Sequence, residues 1–385
     1  MHRHQRDNRN MNNANKPSRR LASLDWMRGF VMVLMVIDHA SMAFNSRHIS
    51  FDSASSYIYG VSYTATEFLT RWASHLCAPT FVFLAGTALA ISIERKVARG
   101  ADQAVITRDM VIRGLIIAAL DPTLISVLKG QLTFQVLFAI GMGMVLMAWL
   151  RRLPVFWLVA FAVAWLVAGE AITGMFWNPP AWSEPIAALL IAVHVSPEIL
   201  IKYPVIPWLA MMMLGWAFGR YLTNYLAGQN YSWSPVKFLT ITGIICLLLF
   251  AVVRGLNDYG NMFMLRESDH WIHWLFVSKY PPSLSFTVLE LGLLALCLAG
   301  FMVVEQRVTV KQNGPLLLFG QTALFFYVIH RVIFDGSSRL FNLHATLTLA
   351  DIYLVSLAML VFLYPLCLWY RRYKADHRDS WVRFI

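Results

Sequence analysis

The sequence has little charge for its length. Only 14% of its 385 residues are Asp, Glu, Lys or Arg, whereas a soluble domain carries about 25%. Hydrophobic residues make up 58% of the chain, and the mean hydropathy is +0.56. The alternating strands of a membrane β-barrel are also missing. These absences exclude a soluble enzyme and predict an all-α, polytopic membrane helical bundle.

Cysteine motifs and soluble-enzyme motifs are missing as well. The four cysteines lie in apolar runs without CxxC spacing, so we expect small buried side chains and neither disulfides nor a metal site. The chain has no GxSxG elbow, Walker loop or HExxH pattern. Because the chain is so hydrophobic, we predict that it lies in a lipid bilayer. Its net charge of +11 is then explained by Lys and Arg in cytoplasmic loops, so we predict no nucleic-acid partner.

Apolar runs divide the chain into about ten predicted transmembrane helices. Of the 32 Lys and Arg residues, 23 fall on the side of the N-terminus and nine on the other, which predicts both termini inside. We predict a basic disordered cytoplasmic tail at 1–20, a membrane domain at 21–372 and a second cytoplasmic tail at 373–385. The predicted spans are 23–43, 66–93, 111–128, 132–150, 154–170, 204–222, 236–253, 283–303, 315–333 and 349–370.

The first predicted span carries ionisable residues inside an apolar helix. Arg28 and His39 are eleven residues apart, so they share a helix face and lie about 16 Å apart along the axis. An ionisable group at mid-bilayer is costly and indicates either a functional site or a polar contact between helices. Asp25 and Asp38 are candidates to orient His39, although Asp38 lies about 100° off its face.

Further polar groups occur in later spans. In the second span, Glu67 and Arg71 are four apart and can form an ion pair, and His75 follows at the same spacing. Asp121 and Pro122 interrupt the third span and predict a broken helix. We expect four further polar or aromatic side chains to line a substrate cavity, together with Trp208: Gln131, Gln135, Tyr327 and His330.

Six segments, in order, resemble a bacterial family related to heparan-α-glucosaminide N-acetyltransferase. They are LDWMRGFVMVLMVIDHA, HLCAPTFVFLAGTALAIS, FQVLFAIGMGM, IPWLAMMMLGWAFGR, SKYPPSLSFT and FGQTALFFYVIHRVI. The Arg28-x10-His39 spacing is also similar to the signature of membrane O-acetyltransferases that modify bacterial surface glycans. The resemblance implies an acyltransferase of the bacterial inner membrane that moves an acetyl group from cytoplasmic acetyl-CoA, its cosubstrate, to a sugar or glycan acceptor on the periplasmic side.

The resemblance also implies residue roles. His39 matches the signature histidine, acting as general base or acyl carrier with Asp38, and Arg28, Arg108 and Arg113 match arginines that bind the CoA. The lysosomal enzyme differs by having an amide where His39 stands, with its catalytic histidine in the following loop. His48 and His75 are therefore alternative catalytic histidines in this chain.

Two other functions fit the same residues. Buried His, Asp and Arg groups also serve proton coupling, so the alternative is a proton-coupled transporter or flippase of a small solute or lipid-linked sugar. Inverted repeats, which are common in transporters, are not apparent. A sensor or scaffold without chemistry is the third interpretation. We therefore favour the acyltransferase.

Overall fold

The protein folds as an all-α polytopic membrane bundle. The computed structural model describes residues 21–50 and 52–377, so the tail predicted at 1–20 lies outside the described residues, as does 378–385. The chain begins with α1 (Ala22–Phe44), α2 (Ala65–Ser74), α3 (Cys77–Ala98), α4 (Gln103–Ala119), a π-helical turn (Asp121–Ile125), α5 (Ser126–Lys129), β1 (Leu132–Phe134), α6 (Val136–Leu150) and α7 (Val155–Gly174). It continues with α8 (Pro185–Leu190), β2 (His194–Val195), β3 (Ile199–Ile201), α9 (Val205–Leu226), α10 (Pro235–Leu256), α11 (Trp271–Leu275), α12 (Leu284–Arg307), α13 (Pro315–Gln321), α14 (Ala323–Leu340) and α15 (Leu349–Asp376).

Each of the ten predicted spans contains helix in the structure, but the one predicted at 132–150 begins with strand β1 and becomes helical only at Val136. In the described residues, eight helical segments are long and apolar enough to cross a membrane, with α2 and α3 counted together as Ala65–Ala98 and the chain from α4 to α5 as Gln103–Lys129. The pair α13 and α14 gives a ninth if it is counted as one span, and α6 is shorter, at 15 residues. The helix α15 runs to Asp376, so the first residues of the tail predicted at 373–385 are helical.

Glycines allow two pairs of helices to cross closely. A Cβ on Gly29 of α1 would overlap the carbonyl oxygen of Leu316, and one on Gly320 of α13 would overlap that of Asp25. The glycines Gly86 of α3 and Gly215 of α9 form a second such crossing, where a small side chain lets the backbones approach closely. These contacts fix α1 and α3 against their neighbours.

Two of the predicted spans are interrupted by a break in the helix. The Ile125 N–H donates to the carbonyl of Leu120, five residues earlier, so the turn at Asp121 and Pro122 is π-helical and the predicted break is present. A second break separates α13 from α14, which meet at 91° around Thr322. The single span expected at 315–333 is therefore bent, with Gly320 held against α1 before the chain turns.

A small sheet and a folded loop close one end of the bundle. The strand β3 pairs parallel to β1 and antiparallel to β2. The loop after α10 is anchored by Arg254, whose buried guanidinium donates to the carbonyl oxygens of Met264, Trp274, His273 and Phe276. One guanidinium thus supplies hydrogen bonds to four backbone carbonyl groups of this loop.

Candidate functional site

A cavity of about 610 Å³ opens at the Arg28 end of α1, and we call it the Arg28 cavity. Its walls are largely apolar and come from α1, α3, α4, α6 and the break between α13 and α14. Four cationic side chains line it: Arg28, Arg113, Arg371 and Lys374. The combination of long apolar walls and clustered cations suits a molecule with an apolar or uncharged arm and a phosphorylated end.

A second cavity, of about 420 Å³, lies at the His39 end of α1, and we call it the His39 cavity. It is more polar and is lined by His39, His48, Arg71 and three lysines: Lys129, Lys202 and Lys279. Val136 and Tyr327 line both cavities, so the two approach each other at these side chains. The ring of His39 stands edge-on to Tyr327, with centroids 5.8 Å apart.

A hydrogen bond between two histidines fixes the orientation of His39. His330 lies on α14 with its Nδ1 2.8 Å from the carbonyl oxygen of Phe326, which can only accept, so this nitrogen carries the proton. The Nε2 of neutral His330 then accepts from His39 Nδ1 at 2.7 Å. His39 therefore presents an unprotonated Nε2, which makes no hydrogen bond with a described residue.

Asp38 does not orient His39 in the structure. Its Oδ1 accepts hydrogen bonds from Arg71 at 2.5 Å and from Ser74 at 2.9 Å. Arg71 also donates to Asp52 in the loop after α1. Burial raises the pKa of Asp52, but Arg71 and then His75 outweigh this and hold it well below its usual range.

The ion pair expected between Glu67 and Arg71 is not formed. Glu67 instead caps the start of α2 at Thr64 and pairs with Arg47 at 2.8 Å. Burial of Asp38 and Asp52 makes their carboxylates the stronger partners for Arg71, because uncompensated buried charges are costly.

The two alternative histidines lie in different surroundings. His48 lines the His39 cavity and shares a 3.0 Å hydrogen bond with Ser41. Burial, and then the charge of Arg71, lowers the pKa of His48 to about 4, so it is neutral near pH 7. His75 is buried, with Nε2 3.3 Å from Asp52 Oδ1. It lines neither cavity, whereas His48 can meet a ligand.

The structure brings only some of the predicted site residues to the cavities. Six of them line one or both cavities: Arg28, Asp38, His39, Arg113, Gln135 and Tyr327. Five line neither cavity: His75, Arg108, Gln131, Trp208 and His330. Arg108 and Arg113 are both exposed, but five residues place Arg108 about 140° around α4 from Arg113, and only Arg113 lines the Arg28 cavity. Strand β1 separates Gln131 from Gln135, so the two side chains do not share a helix face. Gln131 instead donates a hydrogen bond to the carbonyl oxygen of Ser196. Trp208 is fully buried, 4.8 Å from the ring of Tyr203.

Several residues of the cavities were not expected from the sequence. Lys202 and Lys279 lie in connections and reach the His39 cavity only through the fold. The amide N–H of Lys202 donates to the carbonyl of Phe134 beside the small sheet, and that of Lys279 to the carbonyl of Asp52. Arg371 and Lys374 lie on α15 and looked like ordinary positive-inside residues.

A comparison with known families agrees with this architecture. The family model for the catalytic domain of heparan-α-glucosaminide N-acetyltransferase matches residues 20–254, more than half of the chain. The matched region contains α1, α3, α4 and α6, whereas Lys279, Tyr327, His330 and Arg371 lie beyond it. A search of curated proteins finds no match. The chain belongs to the heparan-α-glucosaminide N-acetyltransferase catalytic family of membrane acetyltransferases.

Proposed function

We propose that the protein transfers an acetyl group from acetyl-CoA in the Arg28 cavity to a sugar or glycan acceptor in the His39 cavity. The observation that carries this proposal is the meeting of the two cavities at Val136 and Tyr327, beside His39. Membership of the acetyltransferase family supports the reaction class.

The Arg28 cavity fits the donor. CoA carries a diphosphate and a ribose phosphate at one end of a long arm, and Arg28, Arg113, Arg371 and Lys374 supply cations for them. The apolar walls towards Tyr327 then accommodate the pantetheine arm and exclude water from the thioester. Its volume of about 610 Å³ lies within the range of small-molecule sites.

His39 acts as the general base. Its Nε2 takes the proton of an acceptor hydroxyl or amine while the acceptor oxygen or nitrogen bonds to the thioester carbonyl carbon. The carbon–sulfur bond then breaks, and the CoA thiolate leaves with the proton that His39 returns. His330 is a positioning residue, because its hydrogen bond holds His39 in the tautomer that this step needs.

The distribution of Lys and Arg supports a direction of acetyl transfer across the membrane. The excess of Lys and Arg on the side of Arg28 favours the cytoplasm there, where acetyl-CoA is made, and the periplasm at the His39 cavity. We therefore infer an enzyme of the bacterial inner membrane that works on an acceptor across the bilayer.

The test is acetyl transfer in membranes that contain His39→Ala at normal protein levels. Proton transfer by a positioned side chain contributes about 10²–10⁴-fold, so labelled acetyl transfer should fall by that factor while acetyl-CoA still protects the purified protein from heat. The exposed His377, which lines neither cavity, supplies the control His377→Ala. Undiminished transfer by His39→Ala contradicts the role of His39, and proton-coupled solute uptake without acetyl transfer identifies a transporter.

A further inference from the structure

Three amino groups in the His39 cavity form no salt bridge with a carboxylate of the described residues. In residues 21–50 and 52–377, neither Lys129, Lys202 nor Lys279 forms an ion pair with a carboxylate. Lys279 is only 3% exposed, yet it lines the cavity. Burial of an unpaired ammonium is costly. A ligand that brings negative charge into the cavity would offset this cost.

The lining of the His39 cavity holds more basic than acidic side chains. Asp38 is the acidic residue that lines the cavity, and both it and Asp52 are engaged by Arg71. Arg71 and the three lysines thus give the lining of the cavity four basic side chains, against the single carboxylate of Asp38 among the described residues that line it.

The positive charges of two of these lysines act on the side chain of Tyr280. The ammonium groups of Lys202 and Lys279 lie 5.2 and 5.4 Å from the centroid of its ring. Burial raises the pKa of Tyr280, but the charges of Lys279, Arg71 and Lys202 together lower it below its usual value. Both lysines thus act on the same point of the cavity wall.

The backbone holds the two lysines in place. The carbonyl of Asp52 accepts from the amides of Lys279 and Tyr280 at 2.9 and 3.1 Å, and Lys202 follows directly on β3. The backbone of both lysines is therefore fixed in the cavity wall, which places their side chains at defined positions along it.

We propose that the acceptor carries an oxyanionic group, as a phosphate ester or carboxylate, which Lys129, Lys202 and Lys279 bind while His39 faces the hydroxyl or amine to be acetylated. This inference rests on the proposed function and adds a substrate class to it. A neutral sugar would leave the three amino groups without a partner, so acidic acceptors are selected over neutral ones.

The test compares methyl glucoside, its 6-phosphate and methyl glucuronide with the purified protein. Saturating CoA first fills the Arg28 cavity, so that the anions cannot act there. The two acidic sugars should raise the melting temperature at concentrations at least about tenfold lower than the neutral one. The variants Lys202→Gln and Lys279→Gln should lose this preference, whereas Lys279→Arg should keep most of it. Lys311→Gln is the matched control, because Lys311 is exposed and lines neither cavity.

Acetyl transfer to the same sugars separates the two proposals. Equal binding of neutral and acidic sugars, or a preference that survives both Gln variants, overturns the acidic acceptor but leaves the acetyltransferase intact if transfer occurs. Anion-selective binding without acetyl transfer to any of the three sugars contradicts the proposed function instead. If only the phosphate or only the uronate is selected, the oxyanion is identified.

Discussion

The two cavities along α1 differ in what builds them. Helices of the membrane bundle enclose the Arg28 cavity, so its walls are apolar and its cations gather in one region. Connections and helix ends build much of the His39 cavity, so polar and basic groups surround it. The first suits a long donor with a phosphorylated end and the second a compact polar acceptor. One helix thus links two sites of different chemistry.

The largest effect is expected at the boundary between the cavities. The substitution Val136→Trp places a bulky ring where both cavities share a wall. Because a small displacement of reacting groups can cost about 10²-fold, transfer should fall at least by that factor while acetyl-CoA still stabilises the protein. The control Val163→Trp is on α7, where the side chain is 48% exposed and lines neither cavity. Transfer at the wild-type rate by Val136→Trp would mean that the donor does not pass this point.

The histidine pair gives the next largest effect. His330→Phe keeps the ring volume but removes the acceptor for His39 Nδ1, so kcat should fall about 10–100-fold, the usual loss for an orienting partner. The KM for acetyl-CoA should not change, because His330 does not line the Arg28 cavity. His330→Gln offers an acceptor oxygen and should recover part of the loss. Equal losses in the Phe and Gln variants would contradict the orienting role.

A smaller effect is expected from the arginines of α1 and α4. Arg28→Gln should raise the KM for acetyl-CoA about tenfold, since a hydrogen bond to a charged group contributes about 1.5–3 kcal/mol. Arg108→Gln should leave this KM unchanged, because Arg108 is exposed and lines neither cavity. Steady-state kinetics on both variants compares them directly. A higher KM in the Arg108 variant would favour the role implied by the resemblance.

The smallest effect is expected from the protonation of His48, which changes the stability of the folded protein. The His48 pKa of about 4 lies below the ordinary histidine value of about 6.5, so the unfolded chain binds the proton first as the pH falls. The contribution of His48 to stability is therefore complete above about pH 6.5 and declines towards pH 4. Between pH 6.5 and 5 the free energy of unfolding should fall by on the order of 1–2 kcal/mol from this group. Thermal unfolding of His48→Gln should show a correspondingly weaker pH dependence, and an unchanged dependence would exclude this cause.

Helical periodicity predicted the part of the site that lies on regular helix. Arg28 and His39 share a face of α1 and line the two cavities, as their spacing indicated. Tyr327 and His330 are also close, with ring centroids 5.6 Å apart. Spacing along a single helix determines which of these side chains lie on the same face, so their proximity can be predicted from the sequence.

Contacts between distant segments could not be predicted in this way. The choice of Arg71 between Glu67 and the two aspartates depends on which carboxylates the fold buries. The partner of His39 proved to be His330, 291 residues away in the chain, instead of the adjacent Asp38. Likewise, the bend at Thr322 follows from the crossing of α13 with α1, which no local pattern in 315–333 reveals.

The central claim is that the acetyl group passes through the protein from one cavity to the other. Sealed vesicles of uniform protein orientation, with labelled acetyl-CoA and an impermeant sugar phosphate placed on chosen sides, measure this passage directly. We predict labelled product only when acetyl-CoA is on the side of Arg28 and the acceptor is on the opposite side, with no labelled acetyl-CoA crossing the membrane. Product formed with both compounds on one side, or accumulation of labelled acetyl-CoA across the membrane, would contradict the account.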